Sequence, residues 1–313
     1  MKKGMKKLIL AMFVMAAVII FAPGVDAKAY GITQTNPSKN AITVTWEAEG
    51  DALAYYVYVG EDSTTATLVA TLPANATAYT VTGLPAGCEK YISVKYKYVT
   101  GSGNEYTGTV GSDYDCRTIP DAMTKVYQER WYYFLKSFNV EWEPMEAADS
   151  YEYILCNEKG KKLASESTYG TSFSYGKKVS NNMIYNVKVR AVSKICGQTY
   201  YSSWSNPCYC FTQPRVKSVK ASNGKLTIKW QKITGATGYD VHVSTKPKSG
   251  YKKVKSVGKS KSSVTVKKFK GKKIKANKKY YVYVVSKKKV GKTTSTSGRL
   301  YYWNSKNSSS GYF

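Results

Sequence analysis

The chain has 313 residues and a formal net charge of +28, from 48 Lys and Arg against 20 Asp and Glu. Its 29 Tyr residues and its abundance of Thr, Val and Ser favour strands over helices. The single His, His242, argues against the many catalytic and metal sites that need several imidazoles. The length allows two domains or three small ones.

The N-terminus has the pattern of a secretory signal peptide. Lysines precede an apolar run from Leu8 to Phe21, and Val25 and Ala27 are the small residues that a cleavage site requires. We predict cleavage after Ala27, which makes residues 1–27 the signal peptide. An uncleaved membrane anchor is the alternative, but a span needs about 20 apolar residues. We therefore expect a secreted, extracellular protein, free or associated with the cell wall, with no transmembrane segment after cleavage.

Three similar segments follow one another along the rest of the chain. Each contains an alternating strand that ends in Trp and, nine residues later, a Tyr that opens a second alternating strand. The Trp and Tyr pairs are Trp46 and Tyr55, Trp142 and Tyr151, and Trp230 and Tyr239. Apolar residues at every second position are typical of half-buried strands, so the chain is predicted to be all-β.

A second Tyr links these repeats to a known family. Tyr185 and Tyr280 open a later strand in the second and third repeats, and each follows an aliphatic residue by six positions, Val179 and Ile274. Together with the core Trp, this pattern resembles the fibronectin type III family and its tyrosine corner, in which the hydroxyl pins the preceding loop. The resemblance implies three tandem seven-stranded Ig-like β-sandwiches. It implies structural core roles for Trp46, Trp142, Trp230, Tyr185 and Tyr280.

The first repeat departs from this pattern. Leu84 is present, but Lys90 stands six residues later and Tyr91 seven, so we expect a one-residue shift or bulge there. The predicted boundaries lie near two similar segments that end in Pro120 and Pro214. The domains are then 28–118, 119–213 and a lysine-rich 214–304, followed by a disordered tail at 305–313.

The excess charge is concentrated in the third repeat. From Arg215 onward there are 27 basic residues and one acid, Asp240, whereas residues 28–214 hold 17 basic and 18 acidic residues. Such a surface attracts polyanions, and lysine, which lacks the guanidinium fork, suits diffuse attraction. The alternative is a solvated face without a partner. The predicted polyanion-binding residues are Lys267, Lys268, Lys270, Lys272, Lys273, Lys275, Lys278, Lys279, Lys287, Lys288, Lys289 and Lys292.

For a protein of this type, the nearest polyanions are teichoic acid, anionic glycans and DNA. The third repeat also resembles lysine-rich modules of surface proteins from Gram-positive anaerobes, in the stretches Gly224–Trp230 and Gly235–Ser244. That resemblance points to retention on an anionic cell-wall or extracellular polymer.

Exposed aromatic residues offer a second ligand class. Trp131, Tyr132 and Tyr133 lie in a stretch that is longer than its counterpart in the third repeat, and rings on a strand alternate between its faces. They are weak candidates for stacking on a glycan; the alternative is burial over the sandwich edge. Tyr200, Tyr201 and Trp204, which follow the turn at Gly197, carry the same two alternatives.

Two of the six cysteines suggest a disulfide. If a hairpin turns near Ser102, facing residue numbers sum to about 204, and Cys88 and Cys116 satisfy that sum. The pairing of Cys156, Cys196, Cys208 and Cys210 is left open. Cys208 and Cys210 are expected on opposite sides of a strand, and no second Cys pair or nearby His supports a metal site.

No catalytic motif occurs in the sequence. His242 alternates with two valines, so we expect it to point to solvent. We predict no catalytic residue, no cofactor and no metal, and a monomer that is not an enzyme. The predicted function is a spacer or adhesion-type array whose third domain associates with anionic polymers. A carbohydrate-binding accessory module using the second domain is the alternative.

Overall fold

The computed structural model describes residues 31–129, 137–176, 179–180 and 182–313. The predicted signal peptide and the predicted glycan-stacking residues Trp131, Tyr132 and Tyr133 lie outside the described residues. One compact unit contains the described residues up to Ile119 together with Ile195–Gln198, and the other contains those of Pro120–Lys194 and Thr199–Phe313. No helix among the described residues has the length and apolarity needed to cross a membrane.

The first sandwich places a three-stranded sheet, in the order β1-β2-β5, against a four-stranded sheet, in the order β4-β3-β6-β7. Ile42 and Val44 of β2 face Ile92 and Val94 of β6 across a buried core that also holds Trp46. All strand pairs are antiparallel. The strands are β1 (Ile32–Thr35), β2 (Ala41–Trp46), β3 (Ala54–Gly60), β4 (Thr67–Pro73), β5 (Ala78–Thr82), β6 (Glu89–Val99) and β7 (Glu105–Arg117).

The second sandwich repeats this plan. A three-stranded sheet has the order β12-β9-β8, and the facing sheet has the order β11-β10-β13-β14, with β15 also paired to β13. The strands are β8 (Val126–Gln128), β9 (Phe138–Trp142), β10 (Ser150–Cys156), β11 (Lys162–Thr168), β12 (Ser172–Tyr175), β13 (Ile184–Ile195), β14 (Gln198–Tyr201) and β15 (Cys208–Phe211).

The third sandwich has a three-stranded sheet, β16-β17-β20, and a larger sheet, β19-β18-β23-β25-β26, with β24 also paired to β23. A separate two-stranded hairpin, β21-β22, precedes β23. The strands are β16 (Val216–Ser222), β17 (Lys225–Trp230), β18 (Gly238–Ser244), β19 (Lys252–Gly258), β20 (Ser263–Val266), β21 (Lys268–Phe269), β22 (Lys272–Lys273), β23 (Tyr281–Val290), β24 (Thr293–Thr296), β25 (Tyr301–Asn304) and β26 (Ser310–Tyr312).

These sheets confirm the predicted all-β fold of tandem sandwiches, but the last strand is interrupted in the second and third sandwiches. In the second sandwich that strand is interrupted between β14 and β15, where Ser202 and Ser205 turn their hydroxyls to the neighbouring strand. Their Oγ atoms accept from the backbone N–H groups of Ala191 at 2.9 Å and Val189 at 3.0 Å. The backbone groups of β13 are therefore satisfied where the partner strand bulges away.

The repeated Trp and Tyr form one unit in every core. The two rings lie 5.5, 5.4 and 5.5 Å apart in the first, second and third sandwiches. Each Tyr hydroxyl accepts a hydrogen bond from the backbone N–H six residues earlier in the chain, at 2.6 Å for Tyr55, 2.8 Å for Tyr151 and 2.8 Å for Tyr239. The ring fills the core while its polar end fixes the loop between the two strands.

The tyrosine corners of the second and third sandwiches have the expected hydrogen bonds. The Tyr185 hydroxyl accepts from the Ser180 N–H at 2.7 Å, and the Tyr280 hydroxyl accepts from the Lys275 N–H at 3.2 Å. In the first sandwich Thr118 pins the corresponding loop, because its hydroxyl donates to the Pro85 carbonyl at 2.8 Å and accepts from the Cys88 N–H at 3.0 Å.

The structure contradicts the predicted Cys88–Cys116 disulfide, because both are free thiols. Near the turn the facing numbers do sum to 204, as for Val99 and Glu105. Two bulges then shift the register, and Cys116 lies opposite Lys90. The Cys88 carbonyl in turn accepts from the Thr118 N–H at 3.0 Å. A bulge adds a residue to one strand only, so the simple sum fails beyond it.

Two further expectations are corrected. Cys208 and Cys210 do not lie on opposite sides of β15, because residues two apart share a face of a strand, and both are buried in the second core. The tail from Ser305 is not irregular, because β26 pairs with β25 and the Ser308 hydroxyl accepts from the Val219 N–H at 3.0 Å. Tyr312 and Phe313 supply ring contacts that a polar tail would lack.

Candidate anion-binding surface and aromatic face

A tight hairpin in the third sandwich directs lysines outward. Lys270 and Gly271 both have positive φ, 48° and 76°, which is the geometry of a two-residue turn between β21 and β22. Phe269 and Ile274 on either side of the turn are buried in the third core. Because these two apolar residues hold the hairpin down, the lysines between and around them face solvent.

We call this group the hairpin lysines. All of its members are exposed, and among the described residues none is paired with a carboxylate. Lys268 lies directly opposite Lys273 in the β21–β22 register. Like charges in that position repel each other and destabilise the pair. The hairpin lysines are Lys267, Lys268, Lys270, Lys272, Lys273, Lys275, Lys278 and Lys279.

The other four predicted lysines form a separate group. Lys287, Lys288, Lys289 and Lys292 lie at the end of β23 and in the turn that follows it, whereas Lys279 precedes the start of β23. A strand of ten residues spans about 30 Å at roughly 3.3 Å per residue. The structure therefore does not bring the twelve lysines into one surface.

Two members of this second group are already engaged by other side chains. Lys287 Nζ lies 2.6 Å from Asp240 Oδ1, and Lys288 Nζ lies 5.9 Å from the ring centre of Tyr209. Asp240 also accepts from Ser256 at 2.6 Å. Burial raises the pKa of this carboxyl, but the hydrogen bonds from Lys287 and Ser256 outweigh burial and bring its pKa below the ordinary value.

The outward side of the larger sheet is aromatic. Asp240, His242 and Ser244 of β18 lie on this side, opposite Val285, Tyr283 and Tyr281 of β23. Tyr302 of β25 and Phe313 complete it. Sheet faces turned away from a sandwich core are usually polar, so this concentration of rings sets the third sandwich apart. We call the following set the aromatic face: His242, Tyr251, Tyr281, Tyr283, Tyr302 and Phe313.

The rings of the aromatic face contact one another. Tyr283 lies at the centre, 4.5 Å from His242, 4.9 Å from Tyr251 and 5.4 Å from Phe313. Phe313 continues to Tyr302 at 5.6 Å. Tyr283 is buried by its neighbours, while the other five rings remain half-buried.

His242 differs from the sequence-based expectation. It does leave the core side of β18, but its ring stacks on Tyr283 at an interplanar angle of 9° and is half-buried. Burial lowers the pKa of His242 below its ordinary value. The imidazole therefore acts as a flat ring in this stack.

Cations approach this face at two edges. Lys279, a hairpin lysine, has its Nζ 5.5 Å from the ring centre of Tyr281, and the Arg299 guanidinium lies 5.0 Å from that of Phe313. These distances are within the range of cation–π attraction. The hairpin lysines and the aromatic face are thus continuous at Lys279 and Tyr281.

A cleft of about 1310 Å³ lies beside the aromatic face, inside the second compact unit. His242, Tyr283 and Phe313 line it from the third sandwich, and Tyr127 and Glu141 line it from the second. Its walls combine rings, carboxylates and the Arg299 guanidinium, so it joins the aromatic face to a polar surface.

The sequence left glycan stacking and burial as alternatives for Tyr201 and Trp204. In the structure both rings instead pack against an arginine of the same sandwich. Arg190 lies over both rings, with its guanidinium carbon 4.1 Å from the Tyr201 centroid and 4.7 Å from that of Trp204. Glu152 accepts from the same guanidinium at 2.9 and 2.6 Å. One face of each ring is therefore covered by a cation of the same chain.

Sequence reasoning found the lysines but missed the aromatic face. The alternation of Tyr281 and Tyr283 with buried valines was a visible signal, since it places both rings on the outward side. The contributions of Tyr251 and Phe313 were not visible, because they come from outside the strands that they cover.

No family model and no curated protein matches the chain. Among solved structures, a two-domain fibronectin type III segment of chicken tenascin is 17% identical, with a TM-score of 0.32, and the match covers 58% of this chain and 97% of that one. The FN1–FN3 domains of chicken CNTN1 are 13% identical, with a TM-score of 0.33, and the match covers 86% and 98%. Because both TM-scores are low, the fold rests on the strand pairing given above.

Proposed function

We propose that this chain is a secreted or cell-surface, non-catalytic β-sandwich array that holds anionic polymers through the hairpin lysines. The first two sandwiches act as spacer or adhesion modules. The proposal rests on a local property of the third sandwich rather than on net charge alone.

The main support for the proposal is that Lys268 lies directly opposite Lys273. Two ammonium groups at directly facing positions, without a carboxylate partner among the described residues, repel each other in the free protein. An anionic polymer lying across the hairpin removes that repulsion and releases its own counterions on binding. Both effects make the free energy of binding more favourable.

The single acid of the third sandwich does not neutralise the hairpin lysines. Asp240, its single acid in the sequence, lies on the larger sheet and is bound by Lys287 and Ser256. The hairpin lysines thus remain available to an external anion. The sequence resemblance to modules of Gram-positive surface proteins makes wall polymers such as teichoic acid the first ligand to test.

The test is sedimentation of the full chain with purified Gram-positive cell walls over a salt series. The first variant replaces Lys268, Lys270, Lys272 and Lys273 with Gln. A matched control replaces four exposed lysines of the second sandwich with Gln: Lys159, Lys161, Lys162 and Lys194. Both variants lower the net charge by the same amount.

We expect the unaltered chain and the control to bind at low salt and to release at high salt. The hairpin variant should bind much more weakly at low salt and show a shallower salt dependence, since each lost phosphate contact lowers the slope by roughly 0.7 to 0.9. Equal losses in the two variants, or no binding at low salt by the unaltered chain, would overturn the proposal.

A further inference from the structure

The charge of the hairpin lysines does not distinguish one class of polyanion from another. The aromatic face does, because only some polyanions carry flat rings that could stack on it. Polyphosphate and teichoic acid present phosphates without flat rings, whereas a single-stranded nucleic acid presents phosphates and the π-faces of unpaired bases. A basic groove beside aromatic rings is the common arrangement in proteins that bind single strands without sequence preference. The third sandwich has exposed lysines and aromatic rings that adjoin at Lys279 and Tyr281.

We infer that the polyanion held by the third sandwich is single-stranded nucleic acid, with its phosphates on the hairpin lysines and its bases stacked on Tyr281 and Tyr302. This inference rests on the proposed function and names the ligand of the same site.

The continuity of charge and rings supports this assignment. Lys278 and Lys279 end the group of hairpin lysines, and Tyr281 begins β23 directly after them. Lys279 Nζ lies 5.5 Å from the Tyr281 ring centre. A strand whose phosphates contact Lys279 therefore has its bases beside the Tyr281 ring.

Tyr302 is placed for stacking by its neighbour on β26. Gly311 is paired with Tyr302, and a Cβ at Gly311 would lie 2.5 Å from the Tyr302 hydroxyl. The glycine therefore allows the Tyr302 side chain to lie across β26. The Tyr281 ring stands edge-on to the Tyr302 ring, with an interplanar angle of 77° and 5.6 Å between the ring centres. Both rings are half-buried, which leaves part of their surface for a base.

The remaining rings give the platform its rigidity. Phe313 contacts Tyr302, Tyr283 and Tyr251, so the side chains at the edge of the aromatic face are supported from behind. A ring held in place loses little conformational entropy when a ligand binds it.

The decisive experiment compares two probes on the unaltered full chain. One is a fluorescein-labelled dT20 strand, and the other is a 20-mer of abasic deoxyribose phosphate with the same charge. Fluorescence anisotropy at fixed salt gives both affinities. Since alanine substitution at stacking rings weakens single-strand binding by about tenfold or more per base, we expect dT20 to bind at least that much more tightly than the abasic strand.

Two variants assign the difference to residues. Tyr281→Leu with Tyr302→Leu should bring dT20 binding down to the abasic level and leave abasic binding unchanged. The Gln variant of Lys268, Lys270, Lys272 and Lys273 should weaken both probes. Thermal unfolding checks that each variant is folded, and the comparison of probes on the unaltered chain requires no variant.

The outcomes separate this inference from the proposed function. Equal affinity for dT20 and the abasic strand, with loss of both in the lysine variant, overturns the inference while polyanion binding stands. Heparin that displaces dT20 as well as unlabelled dT20 does, at equal charge, points to an anionic glycan and also overturns it. If neither strand binds at low salt, the failure extends to the proposed function.

Discussion

The side-chain amide of Gln34 binds the main chain of Arg117 as a neighbouring strand would. Gln34 Nε2 donates to the Arg117 carbonyl at 2.6 Å, and Gln34 Oε1 accepts from the Arg117 N–H at 2.8 Å. Gln34 is in β1 and Arg117 is in β7, which belong to different sheets of the first sandwich. One side chain therefore ties the first strand to the last.

The same arrangement occurs in the other two sandwiches. Gln128 Nε2 donates to the Phe211 carbonyl at 2.9 Å, and its Oε1 accepts from the Phe211 N–H at 2.8 Å. Gln213 does the same with Tyr301, at 2.9 Å for both bonds. Gln34 and Gln128 satisfy backbone groups on β7 and β15, which are edge strands, whereas Gln213 binds a residue of β25, which pairs with both β23 and β26.

Replacing Gln34 with Ala should lower the free energy of unfolding of the first sandwich by about 1 to 3 kcal/mol, because the paired groups of Arg117 lose their partner. Gln34→Glu should also destabilise it, since a carboxylate has no hydrogen to donate to the carbonyl. Urea unfolding with hydrogen exchange at β1 and β7 measures the effect. Gln231→Ala, at a half-buried position, is the control, and an equal loss there would contradict the prediction.

The Asp240 carboxylate should make the stability of the third sandwich depend on pH. Hydrogen bonds from Lys287 and Ser256 outweigh burial and lower its pKa below the ordinary value of 3.8. The stabilisation is therefore complete above pH 4 or so, by the usual linkage, and is lost as the pH falls through the lowered pKa. Asp240→Asn should be less stable than the unaltered chain at pH 7, and the gap should close in acid. A gap that stays constant from pH 7 to pH 2 in urea unfolding would speak against this linkage.

Arg190 should stabilise the second sandwich by its shape as well as by its charge. Its guanidinium binds Glu152 through two nitrogens and lies over Tyr201 and Trp204. Arg190→Lys keeps the charge but loses the planar fork, so we expect a loss of about 1 to 2 kcal/mol in the free energy of unfolding. Thermal unfolding and Trp fluorescence report the change. Lys188→Arg, on the same strand, is the control, and a lysine variant as stable as the unaltered chain would refute this role.

Cys88 and Cys116 should both carry free thiols. Alkylation in denaturant without reductant, followed by intact-mass and peptide analysis, should label both. Burial, together with the charge of nearby Asp113, raises the pKa of the Cys116 thiol, so we expect slow alkylation of Cys116 in the native protein. Labelling of these two residues only after reduction would show a disulfide and contradict the register of β6 and β7.

Alternation in the sequence was sufficient for the strands and for their buried sides. The spacing of Trp142 and Tyr151 predicted two adjacent core strands, and the spacing of Val179 and Tyr185 predicted a corner whose hydrogen bond is present. These signals are local, because the side-chain period of a strand is two residues wherever it occurs. The predicted domain boundaries and the polyanion surface stay predictions.

The sequence did not fully predict which residues face one another across neighbouring strands. The spacing of Leu84, Lys90 and Tyr91 predicted the bulge between Lys90 and Ile92, but no residue pattern indicated the second bulge, between Val94 and Lys95, and the two together displace Cys116 from Cys88. The glutamine contacts were missed for a related reason, since Gln34 and Arg117 are 83 positions apart and neither residue type indicates a bridge.

The sequence by itself determined that this protein is an all-β chain of repeated sandwiches with a lysine-rich third repeat, because strand period, core aromatics and charge are properties of short segments. The tertiary structure decided which of those lysines share a surface and which rings adjoin them. Packing placed Lys279 beside Tyr281 and brought Phe313 over Tyr283, while the length of β23 set Lys287 far from the hairpin. Contacts between distant segments depend on how sheets fold over a core, and only the complete fold fixes them.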